Sequence, residues 1–136
     1  EDALLMWARG FAAPVLAPGD SAEAPLLGSL RQARLMHQPL LVTPARFVRA
    51  ATVESVTMPA GTFDSDRYRV IVPGAREWTI WVEASEPHRV IQWSCSNGER
   101  ARLLGCERLA YWTLNGPGGE QYLSKLGLTP RPLRMP

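Results

Sequence analysis

The sequence predicts a mostly β fold of the α+β class: an antiparallel meander of about five strands, forming a curved sheet or half-barrel, with an N-terminal helix and a short C-terminal helix. Two observations lead to this prediction. Segments rich in β-branched and aromatic residues recur between residues 46 and 114, separated by short turns of Pro, Gly and Asn. The chain has 136 residues, enough for one domain with a real core.

The N-terminal part, residues 1–45, is expected to supply an apolar segment and a helix. Its first residues carry Leu, Met, Trp and Phe side chains that should pack onto the sheet. Asp20 and Glu23 fit a capping box, and Pro25 suits a first helical turn. A helix is therefore predicted over 20–38, and the proline that follows would end it.

The sheet is predicted to occupy residues 46–114. Its five candidate strands are 46–58, 62–72, 76–83, 88–95 and 100–114. The turns between them are short and contain Pro-Ala-Gly, Pro-Gly, Ser-Glu-Pro and Asn-Gly, so successive strands should pair as antiparallel neighbours.

The turn at Asn97 and Gly98 also predicts a register. With a two-residue loop, Trp93 faces Arg102 across the last hairpin. The same register holds the sulfurs of Cys95 and Cys106 about 20 Å apart, so a disulfide between them is not expected. Both cysteines are then predicted to be reduced thiols that pack as small apolar groups.

Residues 115–136 are predicted to form a loop, a short helix and an extended tail. The stretch from Asn115 to Gly119 breaks the strand pattern, and Glu120 to Leu126 can form the helix with Gly127 as its C-cap. The last residues carry three prolines. No linker divides the chain, so a single domain over 1–136 is the prediction.

Composition and motifs exclude several functional classes. The net charge is +2 and the basic residues are dispersed, which argues against a nucleic-acid surface. No apolar run reaches the roughly 18 residues that a membrane-spanning helix needs. No catalytic signature, metal-ligand spacing or cofactor-binding loop is recognisable, so no catalytic residue, metal or cofactor is assigned and an enzyme is not favoured.

The aromatic pattern points to a binding surface instead. Strict alternation places Trp78 and Trp81 on opposite faces of their strand, so both faces of the sheet need a cover. The N-terminal segments can cover one face. The other is predicted to be a concave ligand groove, lined by Trp81, Ile91 and Trp93 with Arg102 stacked on Trp93. Alternatively, this second face is covered by the N-terminal segment or by a second copy of the chain.

Two further functional alternatives remain open. The first is a small enzyme that uses His88 with Glu83 or Glu86 to move protons or hold a metal. The second is a structural or assembly subunit that oligomerises, for example as a homodimer, through the aromatic face.

Residues 58–64, Met-Pro-Ala-Gly-Thr-Phe-Asp, followed by the strand with Trp78 and Trp81, resemble a group of exported bacterial proteins of unknown function. In that group a Pro-Ala-Gly-Thr-Phe-Asp hairpin joins long antiparallel strands, and the resemblance covers about residues 46–114. It implies a half-barrel similar to those of periplasmic lipoprotein carriers, with Gly61 as the turn residue and Phe63 as a packing residue. No catalytic residue carries over from it.

The resemblance also implies a periplasmic or secreted location. The chain opens at Glu1 without an initiator Met, which is compatible with the earlier removal of a signal peptide. The leading hypothesis is therefore an exported β-rich domain without enzymatic activity. Its concave sheet face would bind a lipid or other apolar ligand, or a segment of a partner protein.

Overall fold

The computed structural model describes residues 2–129, which form an open, antiparallel seven-stranded sheet with a few short helices. The strands are β1 (Ser21–Leu27), β2 (Val42–Arg49), β3 (Glu54–Met58), β4 (Gly61–Ile71), β5 (Glu77–Glu83), β6 (Val90–Cys95) and β7 (Arg100–Arg102). The helices are α1 (Asp2–Ala8), α2 (Leu30–Leu35) and two 3-10 helices, Tyr111–Thr113 and Gly119–Leu126. The predicted fold class is confirmed, although the N-terminal helix is α1 at Asp2–Ala8 and not the predicted segment 20–38. Of the predicted tail over residues 129–136, residues 130–136 lie outside the described residues.

The order of the strands follows the chain almost throughout. The sheet runs β1-β2-β4-β5-β6-β7, and β3 pairs only with β4. β4 is long enough to pair with both β2 and β3, because Tyr68 lies opposite Arg49 and Ser65 lies opposite Glu54. The predicted strand 46–58 is therefore two strands, interrupted at residues 50–53.

The prediction of a helix over 20–38 is wrong for most of its length. Residues Ser21–Leu27 form β1, which pairs with β2, and only Leu30–Leu35 are helical. The exposed and buried positions of β1 alternate, with Ala22, Ala24 and Leu26 as its more buried side chains. Pro25 is tolerated there because β1 is an edge strand.

The last hairpin is shifted by one residue from the predicted register. Trp93 lies opposite Ala101, and Arg102 lies opposite Gln92. The loop has three residues rather than two, because Cys95 donates its N–H to the carbonyl of Glu99 at 2.8 Å. The third loop residue, Gly98, has a φ of +92°, which glycine adopts without strain. Strand β7 also ends at Arg102, well short of the predicted residue 114.

One face of the sheet carries the main core, and the N-terminal segment covers it. The buried members of this core from the N-terminal segment are Leu4, Trp7, Ala8 and Leu16, and those from the central strands include Phe47, Val70, Trp78, Ile80 and Val82. The indole of Trp7 packs edge-on against the rings of Phe47 and Tyr68, at centroid distances of 4.6 and 5.3 Å. Cover by the N-terminal segment is therefore confirmed, but α1 supplies it and the segment 20–38 does not.

The sheet curls at the end that holds the β3–β4 hairpin. Ala60, at the tip of that hairpin, donates its N–H to the carbonyl of Leu103, just after β7, at 3.3 Å. In a flat sheet β4 and β7 would be about 14 Å apart, three strand spacings. Met58 and Ile91 are buried at 8% and 0% exposure but lie outside the main core. Both are therefore buried by contacts other than those of the main core.

The ends of the chain agree with the sequence in part. The predicted C-terminal helix exists as the 3-10 helix Gly119–Leu126, and Gly127 caps it with a φ of +68°. The thiols of Cys95 and Cys106 are both unbonded, as predicted; Cys95 is buried, whereas Cys106 is exposed and does not pack as the apolar group that was expected. Among residues 2–129 there is no helix with the length and apolar character needed to cross a membrane.

Candidate functional site

An apolar depression lies between α1 and the β6–β7 edge of the sheet, and we call it the α1 groove. It consists of two adjoining cavities of about 450 and 230 Å³ that share Leu5, Val90 and Leu103. The larger cavity is completed by Met6, Arg9, Arg89 and Cys106. The smaller cavity includes Ile91, Trp93 and Arg102 among its walls.

The groove follows from how α1 sits on the sheet. Leu4, Trp7 and Ala8 recur at helical spacing and are buried in the main core. Leu5 and Met6 fall outside that buried stripe, and Met6 is 47% exposed. Because α1 contacts chiefly β5, the apolar side chains of β6 and of the chain after β7 are left partly uncovered beside it.

Three of the four predicted ligand-binding residues meet in this groove, and the fourth does not. Ile91, Trp93 and Arg102 line the smaller cavity. Trp93 lies opposite Ile80 and packs against the main core, whereas Trp81 lies opposite Gln92 and therefore points to the other face. The expected stacking of Arg102 on Trp93 does not fit the observed register, in which Ala101 rather than Arg102 lies opposite Trp93.

The face that carries Trp81 is polar rather than apolar. The Trp81 indole donates to one carboxylate oxygen of Glu54 at 3.1 Å, and Arg67 Nε donates to the other at 2.8 Å. Arg69 forms a second ion pair there with Glu77. On this face Trp81 is therefore hydrogen-bonded within a group of ion-paired side chains, where the sequence predicted an apolar ligand groove.

Arg9 is a groove residue that the sequence did not single out. Its Nε donates to the carbonyl of His88 at 3.0 Å, and Nη2 donates to the carbonyl of Pro87 at 3.4 Å. The guanidinium carbon lies 5.0 Å from the ring centroid of Phe11. Within residues 2–129 no carboxylate pairs with Arg9. No sequence signal marks it, because its partners are main-chain atoms almost eighty positions away.

The neighbouring Arg89 differs because its charge is already neutralised. It donates two hydrogen bonds of 2.8 Å to the carboxylate of Glu83. Those bonds lower the pKa of Glu83 below its ordinary value. The same carboxylate, and then Cys106, raise the pKa of Arg89.

A second, polar cavity of about 220 Å³ adjoins the groove at Arg9. The ionisable residues that line it are Arg9, Arg49, Asp66, Tyr68, Glu83 and His88. Arg49 donates to Asp66 at 3.0 Å and to the carbonyl of Leu16 at 3.0 Å. Burial raises the pKa of the Tyr68 hydroxyl, and the positive charge of Arg49 partly opposes that rise.

The polar cavity is also where the residues of the enzyme alternative lie. His88 Nδ1 is 3.0 Å from the main-chain carbonyl of Glu83, while the Glu83 carboxylate is held by Arg89. Glu86 is exposed. Within the described residues the imidazole forms no hydrogen bond with either carboxylate, although Glu83 and His88 both line this cavity. In the part of the chain described, no three His, Cys, Asp or Glu side chains are grouped as a metal ion requires.

Comparison of the chain with protein-family models, with curated proteins and with solved structures found no match. The resemblance to exported bacterial proteins, and the periplasmic or secreted location that it implies, therefore stay predictions.

Proposed function

We propose that the protein binds an apolar ligand in the α1 groove. The observation that carries this proposal is the open cavity of about 450 Å³ between α1 and the β6–β7 edge. Pockets for small ligands commonly measure about 300–1,000 Å³ and have mostly apolar walls with a few polar groups. The groove has this composition, with Leu5, Val90 and Leu103 as its floor and arginines at its margin.

The proposal keeps the predicted ligand class but moves its position. The sequence pattern placed the ligand on the face of Trp81, which ion pairs occupy. The α1 groove instead lies beside the helix that covers the other face. Trp93 is retained as a ligand-binding candidate, and Leu5, Arg9 and Leu103 join it. Ile91 is fully buried, and Arg102 lies opposite Gln92 rather than Trp93, so these two are kept only as residues of the cavity wall.

The test uses N-phenyl-1-naphthylamine, an uncharged dye whose fluorescence rises in apolar surroundings. The natural chain is expected to bind it saturably, and Leu103→Asp should abolish binding, because a carboxylate in the groove opposes an apolar ligand. Leu104→Asp is the matched control, since Leu104 is the exposed neighbour outside the groove walls.

The two variants separate the groove from any other apolar surface. Thermal unfolding of both variants establishes that each is folded before binding is compared. Absence of saturable dye binding by the natural chain, or equal loss in a folded Leu103→Asp and in Leu104→Asp, contradicts the proposal.

A specific observation supports one second candidate, an assembly role. The segment that connects β1 and β2 carries large apolar side chains that are mostly exposed, including Leu30 at 60%, Leu35 at 63% and Leu41 at 57%. Helix α2 has no buried residue. A second copy of this chain would bury these side chains, so sedimentation equilibrium should show a dimer that Leu35→Ser weakens. A monomer at every concentration rules this candidate out.

A further inference from the structure

We infer that the ligand of the α1 groove is a single-chain amphiphile with an anionic head group, received by Arg9. This inference rests on the proposed function and specifies its substrate class. The alkyl chain would lie along Val90 and Leu103 toward Ile91, with the head group at the border between the groove and the polar cavity.

The position of Arg9 is the first step of the argument. It is a wall of the larger groove cavity and also of the polar cavity, so it stands where the apolar and polar spaces meet. A ligand that fills the groove with its apolar part reaches polar surroundings at that border. An amphiphile has this division of polarity along its length.

At this border the positive charge of Arg9 is not neutralised by a carboxylate within residues 2–129. The carboxylate of Glu83 is neutralised by Arg89, and that of Asp66 by Arg49. Arg9 has only main-chain carbonyls and the Phe11 ring as partners in the described range. The border therefore carries a net positive charge that an anionic group would complement.

The guanidinium of Arg9 also retains donors in a suitable geometry. A guanidinium has five N–H groups, and the two carbonyl bonds engage Nε and Nη2, so both donors of Nη1 are free of protein partners within residues 2–129. The carbonyls of Pro87 and His88 fix the group before a ligand arrives, which reduces the entropy lost on binding. Charge-assisted hydrogen bonds to a carboxylate are stronger than those to a neutral acceptor.

The opposite end of the groove offers a weaker alternative. Arg102 lines the smaller cavity and is exposed, whereas Arg9 is half-buried. Water screens an exposed charge more strongly, so Arg102 should contribute less to head-group recognition. The structure therefore favours a head group at Arg9.

The experiment measures how three ligands with the same alkyl chain displace N-phenyl-1-naphthylamine. Decanoate is expected to displace the dye at a concentration about tenfold lower than 1-decanol. Decyltrimethylammonium should be the weakest of the three, because its charge repels Arg9. In Arg9→Gln the preference for decanoate over 1-decanol should fall below about twofold, whereas Arg9→Lys should keep most of it. Arg34→Gln, at an exposed arginine in α2, should behave as the natural chain.

The outcomes separate this inference from the function beneath it. Equal displacement by decanoate and 1-decanol overturns the anionic head group but leaves an apolar ligand in place. A preference that survives Arg9→Gln, or that disappears in Arg102→Gln instead, overturns the assignment to Arg9. Failure of every ligand and of the dye itself contradicts the proposed function. Dye binding by Arg9→Gln shows that the variant is folded.

Discussion

At the scale of single residues, two buried tryptophans differ in what their indole N–H groups meet. Trp7 Nε1 donates to the carbonyl of Pro14 at 2.8 Å. Trp78 Nε1 is buried, and no acceptor for it exists in the described residues. A buried donor without a partner is unfavourable, and a satisfied hydrogen bond contributes about 1 kcal/mol to stability.

The matched substitutions Trp7→Phe and Trp78→Phe test this difference. Both remove a similar apolar volume, but only Trp7→Phe breaks a hydrogen bond. Trp7→Phe should therefore destabilise the protein by about 1 kcal/mol more than Trp78→Phe, measured by urea unfolding. An equal or larger loss in Trp78→Phe would show that its N–H has a partner.

The Glu83–Arg89 pair predicts a pH dependence. Arg89 lowers the pKa of Glu83 below its ordinary value of 4.5, so near that pH the folded chain binds fewer protons at this site than the unfolded chain. The pair's contribution is therefore present above the unfolded-state pKa and is lost as pH falls through the folded-state pKa.

Urea unfolding between about pH 6 and pH 3 should show this loss. The natural chain should lose more stability over that range than Glu83→Gln, which has no carboxylate to protonate there. Glu107→Gln is the control and should follow the natural chain, because the exposed Glu107 forms no ion pair within the described part. A Glu83→Gln curve parallel to the natural one refutes the assignment.

The register of the last hairpin is a feature that the sequence alone could not predict. Asn97 and Gly98 correctly marked a tight turn, but a two-residue and a three-residue loop contain the same two residues. The choice shifts the register by one position and moves every side chain of β7 to the other face. Local turn chemistry therefore located the hairpin but did not settle which side chains share a face.

At the scale of elements, α1 is expected to contribute much of its stabilisation through buried side chains. Leu4 is 3% exposed in the main core, whereas Leu35 in α2 is 63% exposed. Leu4→Ala should destabilise the protein by about 2–5 kcal/mol, because it removes buried methyl groups and leaves a cavity. The same substitution at Leu35 should change stability by less than about 0.5 kcal/mol. Equal effects in urea unfolding would mean that α1 does not pack as described.

The elements that the sequence misplaced are those whose signals conflict. Asp20, Glu23 and Pro25 resemble a helix start, yet Ala22, Ala24 and Leu26 alternate as a half-buried strand does. Pairing with β2 along seven residue positions favours the strand, and that partner is distant in sequence. The central strands β4, β5 and β6 were predicted correctly because their alternation and their turns agree.

At the scale of the whole molecule, the sequence predicted an antiparallel sheet that needs covers on both faces. The position of each cover depends on contacts between distant segments. Trp7 packs on Phe47 and Tyr68, and Arg9 bonds to the turn at His88, so the N-terminal segment closes one face and forms one wall of the groove. On the other face the ion pairs of Glu54 and Glu77 lie where the sequence predicted apolar side chains around Trp81. No periodicity within one segment encodes such contacts.

The most direct test of the account is a ¹H–¹⁵N correlation spectrum of the protein titrated with decanoate. We expect saturable shifts of the amide signals of Leu5, Arg9, Val90 and Leu103, which line the larger cavity. The signals of α2 and those of residues around Trp81 should stay in place. Shifts confined to α2 or to the Trp81 face, with the groove signals unmoved, would contradict a ligand site between α1 and the β6–β7 edge.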